Sequence, residues 1–353
     1  MNDNKKQNPY LSIVFFTRND GYGGKRHEAG IKGILLQAEK HHLRSELIMV
    51  EWNPPPDRPL LKDVFPWPQQ LSFCTIRTIV VPASIHTRYE FSDMYPVHGT
   101  ASFNVGIRRA RGEFVLSTTP DILFSDEIIK FLASEKLDKD AMYGINIHHV
   151  GGNVALRSTL EEQLINCKRA IRGVSHVGTF DFGSTEAPAL QREGPGDFIL
   201  LPRERWNLIH GYPEIDIVGS STGDLLVHMA YLSGARDVIL PEPMRVYHMD
   251  HDTARNQKVY ILRLIEAIYA RFHWPERLAH ILGLLLYKLF PPKNKVADLG
   301  VTSLSGTQSQ NIILDMVSGK RSYIFNDENW GLGQESLEEF VISTADWDKG
   351  NES

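Results

Sequence analysis

ASFNVGIRRARGEFVLSTTPDILF, residues 101–124, is the stretch whose reading decides the fold. Residues 100–111 suit a helix that Gly112 ends. Phe114 to Ser117 then form a short apolar run of strand type, and Pro120 stops it. A polar turn, Thr118-Thr119-Pro120-Asp121, follows at once. Toward the N-terminus the same alternation repeats. Leu11 to Phe16 (LSIVFF) reads as a strand bounded by the turn-rich TRNDGYGG. Residues 28–41 carry Ile31, Ile34, Leu35 and Ala38 at helical spacing. Leu47 to Glu51 is a second strand, halted at WNPPPDRP by consecutive prolines. Ile76 to Val81 is a third. Strands alternating with helices predict an α/β fold, a mostly parallel central sheet flanked by helices.

Toward the C-terminus the pattern loosens. Met142 to Ile147, Asp197 to Leu201 and Asp237 to Leu240 read as strands, and Glu161 to Arg172 and Thr222 to Ser233 as helices. Val174 to Gly196 is loop-like. Past Arg255 two strongly apolar helices are expected, Val259 to Arg271 and Glu276 to Phe290, split by Pro275 and closed by Pro291 and Pro292. The helix 276–290 is nearly apolar around its circumference, yet shorter than the ~20 residues a bilayer span needs. Such a helix is expected to pack on the preceding domain or a second subunit, or to lie in a membrane interface. An acidic tail, Asn326 to Phe340, follows.

Composition narrows the class. The 353 residues are 42% hydrophobic and 23% charged, which excludes a disordered chain. With 38 basic and 43 acidic residues the formal charge is -5, so no global positive field points to nucleic acid. Cys74 and Cys167 make neither a disulfide framework nor a Cys-x-x-Cys zinc pattern. The polar lead-in MNDNKKQNPY has no apolar core of signal-peptide type, and a cytoplasmic protein is expected.

In a parallel sheet, ligands bind beyond the carboxyl ends of the strands. Four such ends carry polar groups: Thr17, Arg18, Asn19 and Asp20 after the first strand, Glu51 closing the second, Thr119 and Asp121 after the fourth, and His248, Asp250 and His251 late in the chain. A carboxylate there can hydrogen-bond a ribose or base, and a carboxylate with an imidazole can hold a divalent cation that bridges phosphates. His148 and His149 are not a metal pair, because neighbours on a strand point to opposite faces. Gly21-Tyr22-Gly23-Gly24-Lys25 lacks the ending and spacing of a phosphate-binding P-loop.

The order Asn104, Gly106, Ala110, Gly112, strand 114–116, Thr119-Pro120-Asp121 resembles the central signature of family 2 type glycosyltransferases of the GT-A fold. His210-Gly211-Tyr212-Pro213-Glu214 resembles that family's acceptor-side turn. Asp224-Leu225-Leu226, then Gly234 and a strand reaching His248, resembles the segment carrying its catalytic acid and late histidine. The match runs from Leu11 to His251. It departs from the family at one point, since Asp121 stands alone where two acids are usual.

The resemblance implies a glycosyltransferase of hexosyltransferase type, moving a sugar from a nucleotide-diphosphate donor to a hydroxyl acceptor with inversion. The acceptor class, whether glycan, lipid-linked or other, stays open. Implied donor contacts are Thr17, Arg18, Asn19, Asp20, Glu51, Asn104 and Thr119. A divalent cation, manganese or magnesium, is expected at Asp121 and His248, with His251 as rival. Asp224 is the expected general base, with Asp216 and Glu214 as alternates. The domain expectation is a disordered lead-in over 1–10, a GT-A domain over 11–255, and a helical C-terminal extension with acidic tail over 256–353. Competing readings are a nucleotidyltransferase on a related sheet, a catalytically inactive sugar-nucleotide-binding relative, and a non-enzymatic scaffold.

Overall fold

The computed structural model describes residues 8–68, 71–90, 92–93, 95–157, 159–175, 178–179, 190–192, 196–215, 222–250 and 306–345. In chain order the elements are β1 (Leu11–Thr17), α1 (Lys25–Lys40), β2 (Ser45–Trp52), α2 (Leu61–Val64), β3 (Cys74–Val81), α3 (Ala83–His86), α4 (Gly99–Arg108), β4 (Phe114–Thr118), β5 (Ile122–Phe124) and α5 (Asp126–Ala133). There follow β6 (Ala141–Ile145), β7 (Ile147–Gly151), α6 (Leu160–Arg169), β8 (Ile171–Ser175), β9 (Gly178–Thr179), β10 (Gln191–Arg192), β11 (Phe198–Pro202) and α7 (Arg203–Leu208). The last are α8 (Thr222–Leu232), β12 (Arg236–Leu240), β13 (Val246–Asp250), α9 (Gly306–Val317) and β14 (Glu338–Ser343).

An eight-stranded sheet in the order β12-β6-β11-β4-β1-β2-β3-β14 forms the frame. Its centre, β4-β1-β2-β3, is parallel, as the strand–helix alternation requires. Every residue of β2 and of β4 is buried, the mark of strands covered on both faces. One face is packed through Ile31, Ile34 and Leu35 of α1 and the other through Val105 and Ile107 of α4. β11 interrupts the parallel order, running antiparallel to both β4 and β6.

A second sheet, β5-β13-β7-β8, was not legible in the sequence. The run read as one strand at 142–147 is two. It breaks at Asn146, leaving β6 in the large sheet and sending β7 into the small one. The lead-in becomes structured before Leu11. Tyr10 is buried with its ring 5.3 Å from Phe114, and its hydroxyl accepts from Leu137 N at 2.9 Å.

The acidic tail does not stay with a separate C-terminal extension. β14 joins the edge strand β3 in antiparallel register. The chain divides into one compact unit formed by Met1–Met249 with Leu304–Ser353, and another over Asp250–Ser303. Of the second unit only Asp250 is described, as the last residue of β13. The helices expected over 259–271 and 276–290 lie outside the described residues. Among the described residues no helix is long and apolar enough to cross a membrane.

Candidate functional site at the carboxyl end of β4

β4 delivers the chain to Thr119-Pro120-Asp121, and β5 takes it into the small sheet. Helix α1 packs directly against this turn. A Cβ on Gly30 would overlap the carbonyl oxygen of Pro120 and lie 2.9 Å from that of Ile122, so only glycine allows the approach. Asp121 is buried, and its main-chain oxygen accepts from Met249 N at 2.9 Å. β13 runs antiparallel to β5 with His248 opposite Ile122. This register sets His248 Nε2 3.6 Å from Asp121 Oδ2. The two residues expected to hold a cation are therefore brought together.

Two further groups arrive from strands remote in sequence. His149 of β7 lies with its ring 5.4 Å from that of His248, and its Nε2 shares a 2.8 Å hydrogen bond with the Ser175 hydroxyl. Alternation along β7 does separate the two histidines, for His148 faces the Tyr247 ring and Glu242 instead. His149, His248 and Asp250 each offer one ligand atom, all within 4.8 Å of one another.

Asp197 stands just ahead of β11, whose antiparallel pairing sets Phe198 against Thr118. Its carbonyl accepts from the Thr118 hydroxyl at 2.6 Å, and its Oδ1 from the Thr119 hydroxyl at 3.5 Å. Burial pushes the Asp197 carboxyl above the usual carboxylate range. The charge of Asp121 adds to this, while His248 and His149 oppose it. Tyr22, in the loop after β1, has its hydroxyl pKa raised by local desolvation and by the charge of Asp121, although most of its surface is exposed. Sequence reading passed over His149, Asp197 and Tyr22 as site members. Only Asp197 carried a usable signal, an acid at a strand boundary, and its relevance depends on the antiparallel pairing.

The residues expected to contact a donor lie at the carboxyl ends of β1 and β2, where they knit two loops together. Asn19 has a left-handed backbone (φ 55°), accepted by Asn more readily than by most residues. Its amide donates to the Thr17 hydroxyl at 3.2 Å and its side chain to Pro59 O at 2.9 Å. Arg18 Nε donates to Asn53 O at 2.9 Å and its guanidinium lies 3.5 Å from Asp20, which in turn accepts from Tyr22 N at 2.9 Å. Glu51 is buried and both its oxygens accept from Leu61 N, at 3.1 and 3.0 Å. Burial raises the Glu51 carboxyl, against the hydrogen bonds from Leu61 and Asn19.

Asn104 has a different setting. Its Nδ2 donates to Tyr212 O and to Glu214 Oε1, both at 2.8 Å, and its Oδ1 accepts from Tyr212 N at 2.7 Å. Both amide hydrogens and the carbonyl thus hold the turn 210–214, whose His210 and Gly211 have positive φ. Tyr212 ties that turn to β4 through a 3.0 Å bond from its hydroxyl to Ser117 Oγ. The tail completes the arrangement. Asn326 Oδ1 accepts from Glu214 N at 2.8 Å, its Nδ2 donates to His210 O and Tyr212 O, and Gly331 N donates to Glu214 Oε1 at 2.8 Å. Burial raises the Glu214 carboxyl despite these donors. Asp224 sits half-buried in the first turn of α8. Asp216 and His251 lie outside the described residues.

No family model and no curated protein matches this chain. Among solved structures it is similar to S. aureus TarS 1-349, at 17% identity and TM-score 0.41, covering 87% of this chain and 80% of that one. The same protein in complex with UDP aligns at 17% identity and TM-score 0.40, over 83% of this chain and 75% of that one. In complex with UDP-GlcNAc it aligns at 15% identity and TM-score 0.42, over 87% and 81%.

Proposed function

We propose that the chain is a glycosyltransferase that moves a sugar from a nucleotide-diphosphate donor to a hydroxyl acceptor, with inversion at the anomeric carbon. The observation that carries this is the meeting of Asp121 and His248, 3.6 Å apart, just past the carboxyl end of a central parallel strand. A charged diphosphate leaving group needs its charge met there. The two loops after β1 and β2 form the donor-side rim, with Thr17 to Asp20 on one and Glu51 anchoring the other. Thr119 beside Asp121 offers a hydroxyl on the same rim.

Asp121 and His248 would hold a divalent cation, magnesium or manganese by the simplest reading, and the ion would neutralise the diphosphate. Asp224 takes the proton from the acceptor hydroxyl as its oxygen attacks the anomeric carbon. The bond from that carbon to the diphosphate oxygen breaks as the new one forms, and its electron pair leaves with the nucleoside diphosphate. Glu214 is held by Asn104 and Gly331, which suits a positioning part better than proton transfer.

The test is release of nucleoside diphosphate from a panel of nucleotide-diphosphate sugars, with and without divalent cations. We expect turnover with at least one donor, and an Asp121→Asn variant slowed at least about 100-fold, the loss typical of leaving-charge stabilisation. A folded wild-type protein that binds no nucleoside diphosphate and releases none overturns the reading.

A further inference from the structure

α1 carries a face that the proposed sugar transfer does not use. Lys25, Ala29, Lys32, Gly33 and Leu36 fall at helical spacing and so line one side of the helix. Facing them are the 3₁₀ turn Gly152–Leu156 and the first residues of α6. The two walls enclose a pocket of 330 Å³, with Leu156, Arg157, Leu160 and Gln163 on the far side. That volume falls at the lower end of the ~300–1,000 Å³ of small-molecule sites. We propose that this pocket binds an anionic amphiphile, one alkyl chain with a phosphate or carboxylate head, taken up as a single molecule and not as part of a bilayer.

Charge specifies the head group. Glu28 accepts from Lys25 on one carboxylate oxygen and from Lys32 on the other, both at 2.7 Å. Hydrogen bonds from the two lysines hold its carboxyl below the usual carboxylate range. Glu28 thus keeps two ammonium groups together, and two cations against one carboxylate leave a positive charge in excess. Each ammonium has N–H donors left over for a ligand. Arg157 adds a guanidinium whose side chain pairs with no other described residue. Its main chain is pinned, for its amide donates to Val154 O at 3.1 Å and its carbonyl accepts from the buried Gln163 Nε2 at 3.1 Å. Cations with free donors beside an apolar wall suit a phosphate or carboxylate, whose charge strengthens each hydrogen bond, and they repel a cationic head.

Exposed leucines specify the chain. Leu156 is 73% exposed and Leu36 50%, and no large apolar side chain among the described residues is more exposed than Leu156. Single leucines scattered on a surface are ordinary, but these two line one concavity together with Leu160, Ala29 and Ala155. From Lys25 to Leu36 the helix runs ~16 Å, at about 1.5 Å per residue. The lysines lie in its first two turns and Leu36 a turn beyond them, so polar and apolar ends follow one another along the groove. A concave site of this size encloses one chain, whereas a bilayer surface is met by an apolar face that lies in its plane.

The test uses the full chain. Dodecyl phosphate, kept below its micellar concentration, is titrated by calorimetry beside inorganic phosphate and dodecyltrimethylammonium. We expect one equivalent of dodecyl phosphate bound, at least ~100-fold tighter than inorganic phosphate and weakened by added salt, with no binding of the ammonium. Leu156→Glu and Arg157→Glu change exposed positions that folding tolerates. Each should weaken binding ~10-fold or more, the first through lost apolar contact and the second through lost charge-assisted hydrogen bonds. Leu208→Glu and Lys136→Glu, the same kinds of change at exposed positions elsewhere, should leave it unchanged. Sedimentation with phosphatidylcholine vesicles, with and without phosphatidylglycerol, tells a bilayer from a single molecule. Equal affinity for the ammonium, pocket variants no weaker than the controls, binding to anionic vesicles without binding of the monomer, or no saturable binding overturns the proposal. None of these measurements involves a sugar nucleotide, so loss of the amphiphile site leaves the transferase standing, and the reverse.

Discussion

Gly30 offers the sharpest test of how the site is held. It lies on α1 where the helix backs the Thr119-Pro120-Asp121 turn, and a Cβ there would overlap Pro120 O and stand 3.0 Å from Pro120 C and 2.9 Å from Ile122 O. All three are main-chain atoms, so no rotamer change relieves the contact. Gly33, almost one turn on, is the internal control. Its Cβ would meet Leu123 Cδ2 at 2.7 Å and Leu160 Cδ1 at 3.5 Å, both ends of side chains. Replacing a helical glycine by alanine contributes about 1 kcal/mol in each case. Overpacking a closed site costs about 1–3 kcal/mol, and rigid backbone on both sides puts Gly30→Ala at or above the top of that range. Gly30→Ala should therefore lose about 2 kcal/mol, while Gly33→Ala stays within about 1 kcal/mol of the wild type. The assay is urea unfolding followed by circular dichroism, with Mn²⁺ titration alongside. Because Pro120 precedes Asp121, Gly30→Ala should also weaken Mn²⁺ binding, and Gly33→Ala should leave it intact. A Gly30→Ala protein as stable as the wild type would refute the claim that α1 sets the position of the turn.

Other expectations follow from the same contacts. Asp224→Asn should abolish transfer while melting temperature and nucleoside-diphosphate affinity stay unchanged, since a base acts on the acceptor and Asn is tolerated at helix starts; retained transfer removes Asp224 from the mechanism. Glu51→Ala frees Leu61 N and loosens the loop 53–60, so calorimetry should show weaker nucleoside-diphosphate binding in a protein that still folds; unchanged affinity sinks the donor-side role. Asp126 gives a pH signature. Burial opposes its ionisation, but hydrogen bonds from Lys40 and His41 outweigh it and bring its pKa from 3.8 to about 2. A depressed folded pKa means stability present above pH ~4 and lost as the pH falls toward 2. Asp126→Asn should accordingly cost about 1–2 kcal/mol at neutral pH, with the difference from wild type vanishing near pH 2 in chemical-denaturation curves.

The large sheet was readable because its central strands are continuous apolar runs. Leu47 to Val50 and Phe114 to Leu116 carry no polar residue and Leu11 to Phe16 only Ser12, and a proline or glycine lies a few residues from an end of each run. The small sheet was not. β5 is only three residues long, and β7 carries two adjacent histidines where an apolar alternation would have marked a strand. At the site, Asp121 and His248 were legible because each directly follows or occupies an apolar strand. Asp197 was not, because nothing local says that β11 runs antiparallel beside β4. Glu51 shows the opposite limit. Its place at a strand end was correctly read, but the Leu61 amide that meets both oxygens lies across a proline-rich loop whose path no periodicity encodes. Asn104 likewise reads as one polar residue on a helix, while its three hydrogen bonds go to a turn about a hundred residues away.

The tail shows how such distant partners are fixed in place. A parallel sheet ending at β3 would expose unpaired backbone groups, and β14 covers them. Its register is set by charge. Arg77 of β3 is almost fully buried and donates to Glu46 Oε2 and to Glu339 Oε1, each at 2.7 Å. Glu46 also accepts from the Ser12 hydroxyl at 2.5 Å and from Arg111 N at 2.6 Å, so the network crosses β1, β2, β3 and β14. A slip of one residue would turn Glu339 to the other face of the strand and leave a buried guanidinium with one carboxylate instead of two. Breaking a buried pair from one side costs about 3–5 kcal/mol, far more than an edge strand gains from slipping. With β14 locked, the preceding residues have one path, and it runs over α4. Arg109 donates to Gly331 O and Leu332 O at 2.7 Å, and Arg108 donates to Trp330 O at 3.0 Å while lying over its ring. That path is what brings Asn326 and Gly331 onto Glu214. The turn beside the candidate site thus owes its conformation to an ion pair made at the far edge of the sheet.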